Sequence, residues 1–154
     1  FKTAKLFEAA ARLGGIVTGV DRATEDALGN YGMHLGTAFQ LVDDILDYSG
    51  AEADTGKHLG DDLAEGKPTL PLIHAMKVGS PAEAEVVRRA IVDGGREAFP
   101  EVLAAIRATG ALDEARKRAC EEAEIARNAI QGLPPSQYRD LLLELPTFAV
   151  TRNH

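Results

Sequence analysis

One long helical pattern limits what this chain can become. Between Asp21 and about Ser49, Leu28, Leu35, Phe39, Val42, Ile45 and Leu46 recur at spacings of three, four and seven, the period of one buried helical face. Gly29, Gly32 and Gly36 interrupt it, and each costs about 1 kcal/mol against Ala in an exposed helix. Glycines at that spacing fit a neighbouring helix or a ligand packed close. Nowhere does a period-two alternation persist, so strands are not expected. Ala and Leu dominate and aromatic residues are only 5%, which again favours helix over sheet. The expected fold class is all-α.

The other segments follow the same logic. Residues 1–13 carry Leu6, Ala9, Ala10 and Leu13 on one face, and Gly14-Gly15 is expected to weaken or end that helix. Residues 50–68, rich in glycine and closed by Pro68, read as a long loop. Loops above about 12–15 residues are uncommon unless functional or disordered, which makes this one a candidate lid. A helix resumes near Thr69 and ends by Gly79-Ser80-Pro81. Ser80 is placed to cap the next, 81–93, with Pro81 in its first turn. Further helices are expected at 98–109, 111–131 and 135–151. Ala115, Ala119, Ala123 and Ala126 form a small-residue face suited to close packing.

The chemistry sits at the end of the long helix. Gln40, Asp43, Asp44 and Asp47 fall at i, i+3, i+4 and i+7, on one stripe. Three carboxylates there repel unless something neutralises them, and a hard divalent cation does so with oxygen ligands. Magnesium takes one or two carboxylates, several waters and a substrate phosphate. The competing reading of a bare DDxxD is an ordinary solvated acidic face. Two features weigh against that here. The motif lies in an apolar, glycine-punctuated helix, and a loop of both charge signs follows it. Residues 43–67 hold eight acids and two lysines, Lys57 and Lys67, each after a glycine. A Gly-Lys pair lets backbone come close while the ammonium meets a phosphate, although either lysine alone, without the aspartates, reads rather as a solvated side chain.

Composition excludes some functions. A net charge of -7 argues against nucleic acid, which needs clustered Lys and Arg, but not against an anionic substrate held by metal. One cysteine, Cys120, rules out an internal disulfide and suggests a reducing compartment, hence the cytoplasm. No apolar run approaches the roughly 20 residues of a transmembrane segment, and no signal peptide is expected. The opening Phe1-Lys2-Thr3-Ala4-Lys5-Leu6-Phe7 starts in mid-pattern, so a piece of a longer protein is expected.

Four motifs together resemble the trans-prenyl diphosphate synthases. They are Lys2-Thr3-Ala4-x-Leu6-Phe7, the run Phe39-Gln40-Leu41-Val42-Asp43-Asp44-Ile45-Leu46-Asp47-Tyr48, Thr55-Gly56-Lys57 with Gly60-Asp61-Asp62, and Glu65-Gly66-Lys67-Pro68-Thr69-Leu70-Pro71-Leu72. The wording is closest to the octaprenyl (polyprenyl) diphosphate synthase branch. The likeness spans essentially the whole chain, most tightly residues 1–76.

The resemblance implies an isoprenoid-synthase-type helical bundle, of which residues 1–154 would be the C-terminal part of a single domain. It implies an allylic diphosphate that ionises to a carbocation, to which isopentenyl diphosphate adds. Asp43, and Asp47 through water, would bind magnesium on the allylic diphosphate, with Asp44 completing the cluster. Lys2, Lys57 and Lys67 would contact that diphosphate or hold the closing loop. Thr3 and Gln40 would turn oxygen dipoles toward the cation. Thr3 could equally serve its local backbone, and Gln40 a neighbouring helix. Asp61 and Asp62 either anchor the lid or Lys67, or are solvated. His58 and His74 lack partners at metal-ligand spacing, so structural or surface roles are expected. A homodimer is also implied.

The family's first aspartate-rich motif is absent, since the sequence contains one DDxxD. This piece alone is therefore expected to be inactive. Two alternatives are a class I terpene cyclase, which would not explain Lys2-Thr3 with the 65–72 segment, and a non-catalytic helical subunit of a heteromeric synthase, which would be free to lose its aspartates. A helical phosphohydrolase would want a His-Asp pair, and none occurs.

Overall fold

The computed structural model describes residues 2–49, 59–94 and 96–152. Helices α1 (Lys2–Thr18) and α2 (Arg22–Ser49) come first. They are followed by a single turn, α3 (Asp61–Ala64), then α4 (Leu70–Val78) and α5 (Pro81–Asp93). A 3₁₀ turn (Arg96–Ala98) leads into α6 (Phe99–Ala108), and α7 (Ala111–Ala129) and α8 (Gln137–Thr151) complete the order. No strand occurs among the described residues, so the all-α expectation holds. No helix among them is long and apolar enough to cross a membrane. The chain divides into two compact units, residues 2–42 with 118–152, and the described residues of 43–117.

In the first unit, the glycine row of α2 is where α1 lies down. A Cβ added at Gly32 would sit 2.4 Å from the Phe7 carbonyl oxygen, and one at Gly36 2.7 Å from the Ala4 Cα. Backbone fills the space a side chain would need. Gly32→Ala must therefore push the helices apart, and we expect a loss of about 2–3 kcal/mol, read by denaturant unfolding. An unchanged midpoint would contradict the close approach. Beside this row the Arg12 guanidinium lies over Gly29 and pairs with Asp26 at 2.7 Å and with Glu8 and Glu25 at 3.3 Å. Tyr31, buried, donates its hydroxyl to the Leu142 carbonyl at 2.7 Å. His34 Nδ1 lies 2.6 Å from Glu122 Oε2.

Helix α1 differs from its sequence reading in two ways. It runs through Gly14-Gly15 to Thr18 and stops at Gly19, whose φ of 70° only glycine adopts cheaply. The pair does not break it because Gly15 is a contact: a Cβ there would meet Leu28 at 3.0 Å and Val20 at 3.1 Å. The face carrying Leu6, Ala9, Ala10 and Leu13 also points outward, with Leu6 63% and Leu13 58% exposed. The row of small residues through Ala4 and Gly15, with the half-buried Phe7, turns inward instead, because only small or flat groups fit against a glycine row.

The second unit is built on Tyr48, Leu63, Leu72, Val87, Val102 and Ile106, all fully buried or nearly so. Its caps are as the sequence implies. Ser80 Oγ accepts from the Glu83 N–H and Glu83 Oε2 accepts from the Ser80 N–H, closing a capping box ahead of α5. The expected 50–68 loop is part helical, since Asp61–Ala64 forms a turn; residues 50–58 lie outside the described residues. The alanine face Ala115, Ala119, Ala123 and Ala126 of α7 is buried, as its composition implied.

Candidate active site

Helix α2 is unbroken to Ser49, so the stripe of Gln40, Asp43, Asp44 and Asp47 keeps its helical order. The intervening Val42 and Ile45 are buried, which fixes the rotation of the helix and leaves Asp43 and Asp44 at intermediate exposure. At the other end of this segment, within the first unit, Thr3 Oγ1 donates to Gln40 Oε1 at 3.0 Å. The two residues implied to face a cation are thus joined. That bond spends the hydroxyl proton of Thr3 and leaves its oxygen lone pairs directed elsewhere. Lys2, on the same helix, is exposed.

Asp47 does something its position in the motif did not reveal. Oδ1 accepts from the Asp61 N–H at 3.1 Å and Oδ2 from the Asp62 N–H at 3.2 Å, while its backbone carbonyl accepts from the Gly60 N–H at 3.1 Å. The carboxylate holds the first turn of α3, as an N-terminal cap would. Burial pushes the Asp47 carboxyl up from its ordinary range and the Asp62 charge adds to this; the two N–H bonds oppose it. Its oxygens are committed first to backbone.

Tyr48 holds the other end of the same segment. Its buried hydroxyl accepts from Thr69 Oγ1 at 3.3 Å, and its ring stacks on Phe99 with centroids 6.2 Å apart. Phe99 in turn fills the space above Gly60, where a Cβ would lie 2.5 Å from the ring. Lys67 pairs with Glu65 at 2.7 Å and Asp62 at 3.0 Å, which raises its pKa, Glu65 contributing most. Two consecutive residues of α2 therefore clasp both ends of segment 60–69, and Lys67 closes it from within. Of the two roles open to Lys67, holding the loop is the one this geometry displays.

Among the described residues no three His, Cys, Asp or Glu side chains gather as a metal cage. Asp43 and Asp44 lie on the stripe as hard oxygen donors, and each Asp47 oxygen keeps a lone pair beyond its one N–H bond, enough for a water-bridged contact to a cation. Two carboxylates suit magnesium, which leaves most of its shell to water and phosphate. Lys57 and His58 lie outside the described residues. The clasp through Tyr48 and Thr69 was missed from sequence; the available signal was a Thr after Pro68 at a helix start, a capping position whose partner proved to be tertiary.

Comparison with known proteins bears on all of this. Residues 1–108 match the polyprenyl synthetase family. The chain is 53% identical to the octaprenyl diphosphate synthase of Haemophilus influenzae, over 99% of this chain and 47% of that protein. It is 50% identical to the octaprenyl diphosphate synthase of Escherichia coli, over 99% and 47%. The crystal structure of a polyprenyl synthase from Caulobacter crescentus, complexed with calcium and isoprenyl diphosphate, matches with a TM-score of 0.90 at 44% identity, covering 99% of this chain and 47% of that one. The chain spans about half the length of these relatives.

Proposed function

The chain belongs to the polyprenyl synthetase family, and on that premise we propose that the protein containing it is a trans-prenyltransferase. It condenses isopentenyl diphosphate onto an allylic diphosphate to make a polyprenyl diphosphate, with octaprenyl as the leading product length. The observation that carries this reading is the intact acidic stripe of α2, with Gln40 bonded to Thr3 at 3.0 Å and the segment behind it clasped by Asp47 and Tyr48.

In this reading Asp43 and Asp44 hold magnesium against the allylic diphosphate. When bound there, a divalent cation would supply screening for the charge on a departing diphosphate. Lys2 and Lys57 would offer positive charge to the diphosphate, a role that rests on the family motifs alone. Thr3 and Gln40 offer oxygen dipoles to the allylic cation while giving it no strong nucleophile, and apolar helix faces keep water from quenching it. Asp47 and Lys67 keep segment 60–69 in place rather than touching the phosphate first. A lid over the diphosphate would fall to the 50–68 loop, of which residues 50–58 lie outside the described residues. We place residues 1–154 as the C-terminal part of one domain in a cytoplasmic homodimer; the outward apolar residues of α1, Val17 83% exposed among them, support a longer domain.

The test is direct. The full-length protein, given a short allylic primer, isopentenyl diphosphate and magnesium, should yield one dominant long-chain prenyl diphosphate, while residues 1–154 alone should give none. Cyclised hydrocarbon formed without isopentenyl diphosphate would instead identify a terpene cyclase, and no product at all would favour a non-catalytic subunit.

A further inference from the structure

We propose that Arg152 is a positioning residue for prenyl transfer: from the end of the last helix it fixes Phe39 and, through it, the Gln40–Thr3 pair. The proposal rests on the reading above, which assigns that pair to the allylic cation. Arg152 follows α8 directly, and its guanidinium carbon lies 3.7 Å from the centre of the Phe39 ring. Its Nη2 also donates to the Phe39 backbone carbonyl at 2.8 Å. One side chain thus grips both the ring and the backbone of a residue 113 positions away. A planar guanidinium can stack and donate at once, which an ammonium does less well.

Phe39 is held from α1 as well. Its ring centroid is 5.6 Å from that of Phe7, and Phe7 lies one turn from Thr3 on the same helical face. Phe39 itself precedes Gln40. Arg152 thus contacts Phe39, the sequence neighbour of Gln40, and Phe39 contacts Phe7, one turn from Thr3, so the held residues flank the 3.0 Å bond between Thr3 and Gln40. No phosphate-directed role is needed to explain where the guanidinium sits. What it controls is the rotation of α2 at the residue pair nearest the chemistry, and a dipole aimed at a transient cation is sensitive to small displacements.

The full-length enzyme provides the test. Arg152→Met should lower kcat about 10-fold while the KM values for both diphosphates stay within about twofold, the pattern of a lost transition-state interaction. Arg152→Lys should recover only part of the loss, since an ammonium stacks and donates together less well. In a Phe39→Leu background Arg152→Met should cost little more, because both act through one contact. The side-chain amide NMR signal of Gln40, read without substrate, should move in Arg152→Met and come part of the way back in Arg152→Lys. This last measurement separates the two readings. A wild-type protein that makes no prenyl diphosphate sinks the function, while the Gln40 signal still decides whether Arg152 positions it. A KM increase that persists in the Phe39→Leu background would make Arg152 a direct phosphate contact and overturn the proposal. An unmoved Gln40 signal would overturn it too.

Discussion

Asp43→Ala in the full-length enzyme is expected to lower kcat for prenyl transfer roughly a thousandfold, with the melting midpoint shifted by no more than about 2 °C. Three decades correspond to about 4 kcal/mol of transition-state stabilisation, the scale on which a metal-held leaving group acts. The two halves of this expectation come from different features of α2. Val42 and Ile45, on either side in sequence, are buried and carry the packing. Asp43 is turned to the stripe and is only partly covered, so its loss would remove the proposed metal ligand without opening a cavity. Raising magnesium should recover part of the rate if Asp44 still offers one carboxylate. Activity within tenfold of wild type would remove Asp43 from the metal site. A loss that tracked a large drop in melting temperature would make it a structural residue.

How far the sequence alone could go depended on how local each feature was. The Ser80–Glu83 box ahead of α5 was legible because both partners lie within four residues. The glycine row of α2 was legible as a close approach, although not as an approach of α1, since a missing Cβ says that something comes near and not what. The inward face of α1 was misread for the same reason. Leu6 and Leu13 are larger than Ala4, but the partner surface is a glycine row that admits Ala4 and the flat Phe7 ring, and nothing within residues 1–13 encodes that surface. The acidic stripe was legible as one face of an unbroken helix because its spacing is local. The division of labour within it was not. Asp43, Asp44 and Asp47 look alike in sequence, and what separates them is a chain that returns fourteen residues later to place two N–H groups on Asp47.

That return makes Asp47 the more informative residue to change. Asp47→Ala would strip the Asp61 and Asp62 N–H groups of their acceptor, at about 1–3 kcal/mol for each left unsatisfied, and would leave the Gly60 bond intact because it goes to the Asp47 backbone. The single turn of α3 should loosen at its N-terminus while the Gly60 bond to the Asp47 carbonyl stays in place. Asp62 also receives Lys67 at 3.0 Å, so the disturbance should reach the Glu65–Lys67 stretch. We expect amide hydrogen exchange at Asp61 and Asp62 to speed up markedly, and prenyl transfer to fall about 10–100-fold, the range for residues that hold a site rather than enter it. Asp47→Asn should be milder, since its carbonyl oxygen can still accept one of the two bonds while its NH₂ group opposes the other. Asp43→Ala should leave these exchange rates alone. If Asp47→Ala instead left Asp61 and Asp62 as protected as before and matched the loss of Asp43→Ala, Asp47 would be a metal ligand in its own right. The opposite outcome would make the third aspartate of the motif the pin on which segment 60–69 is hung.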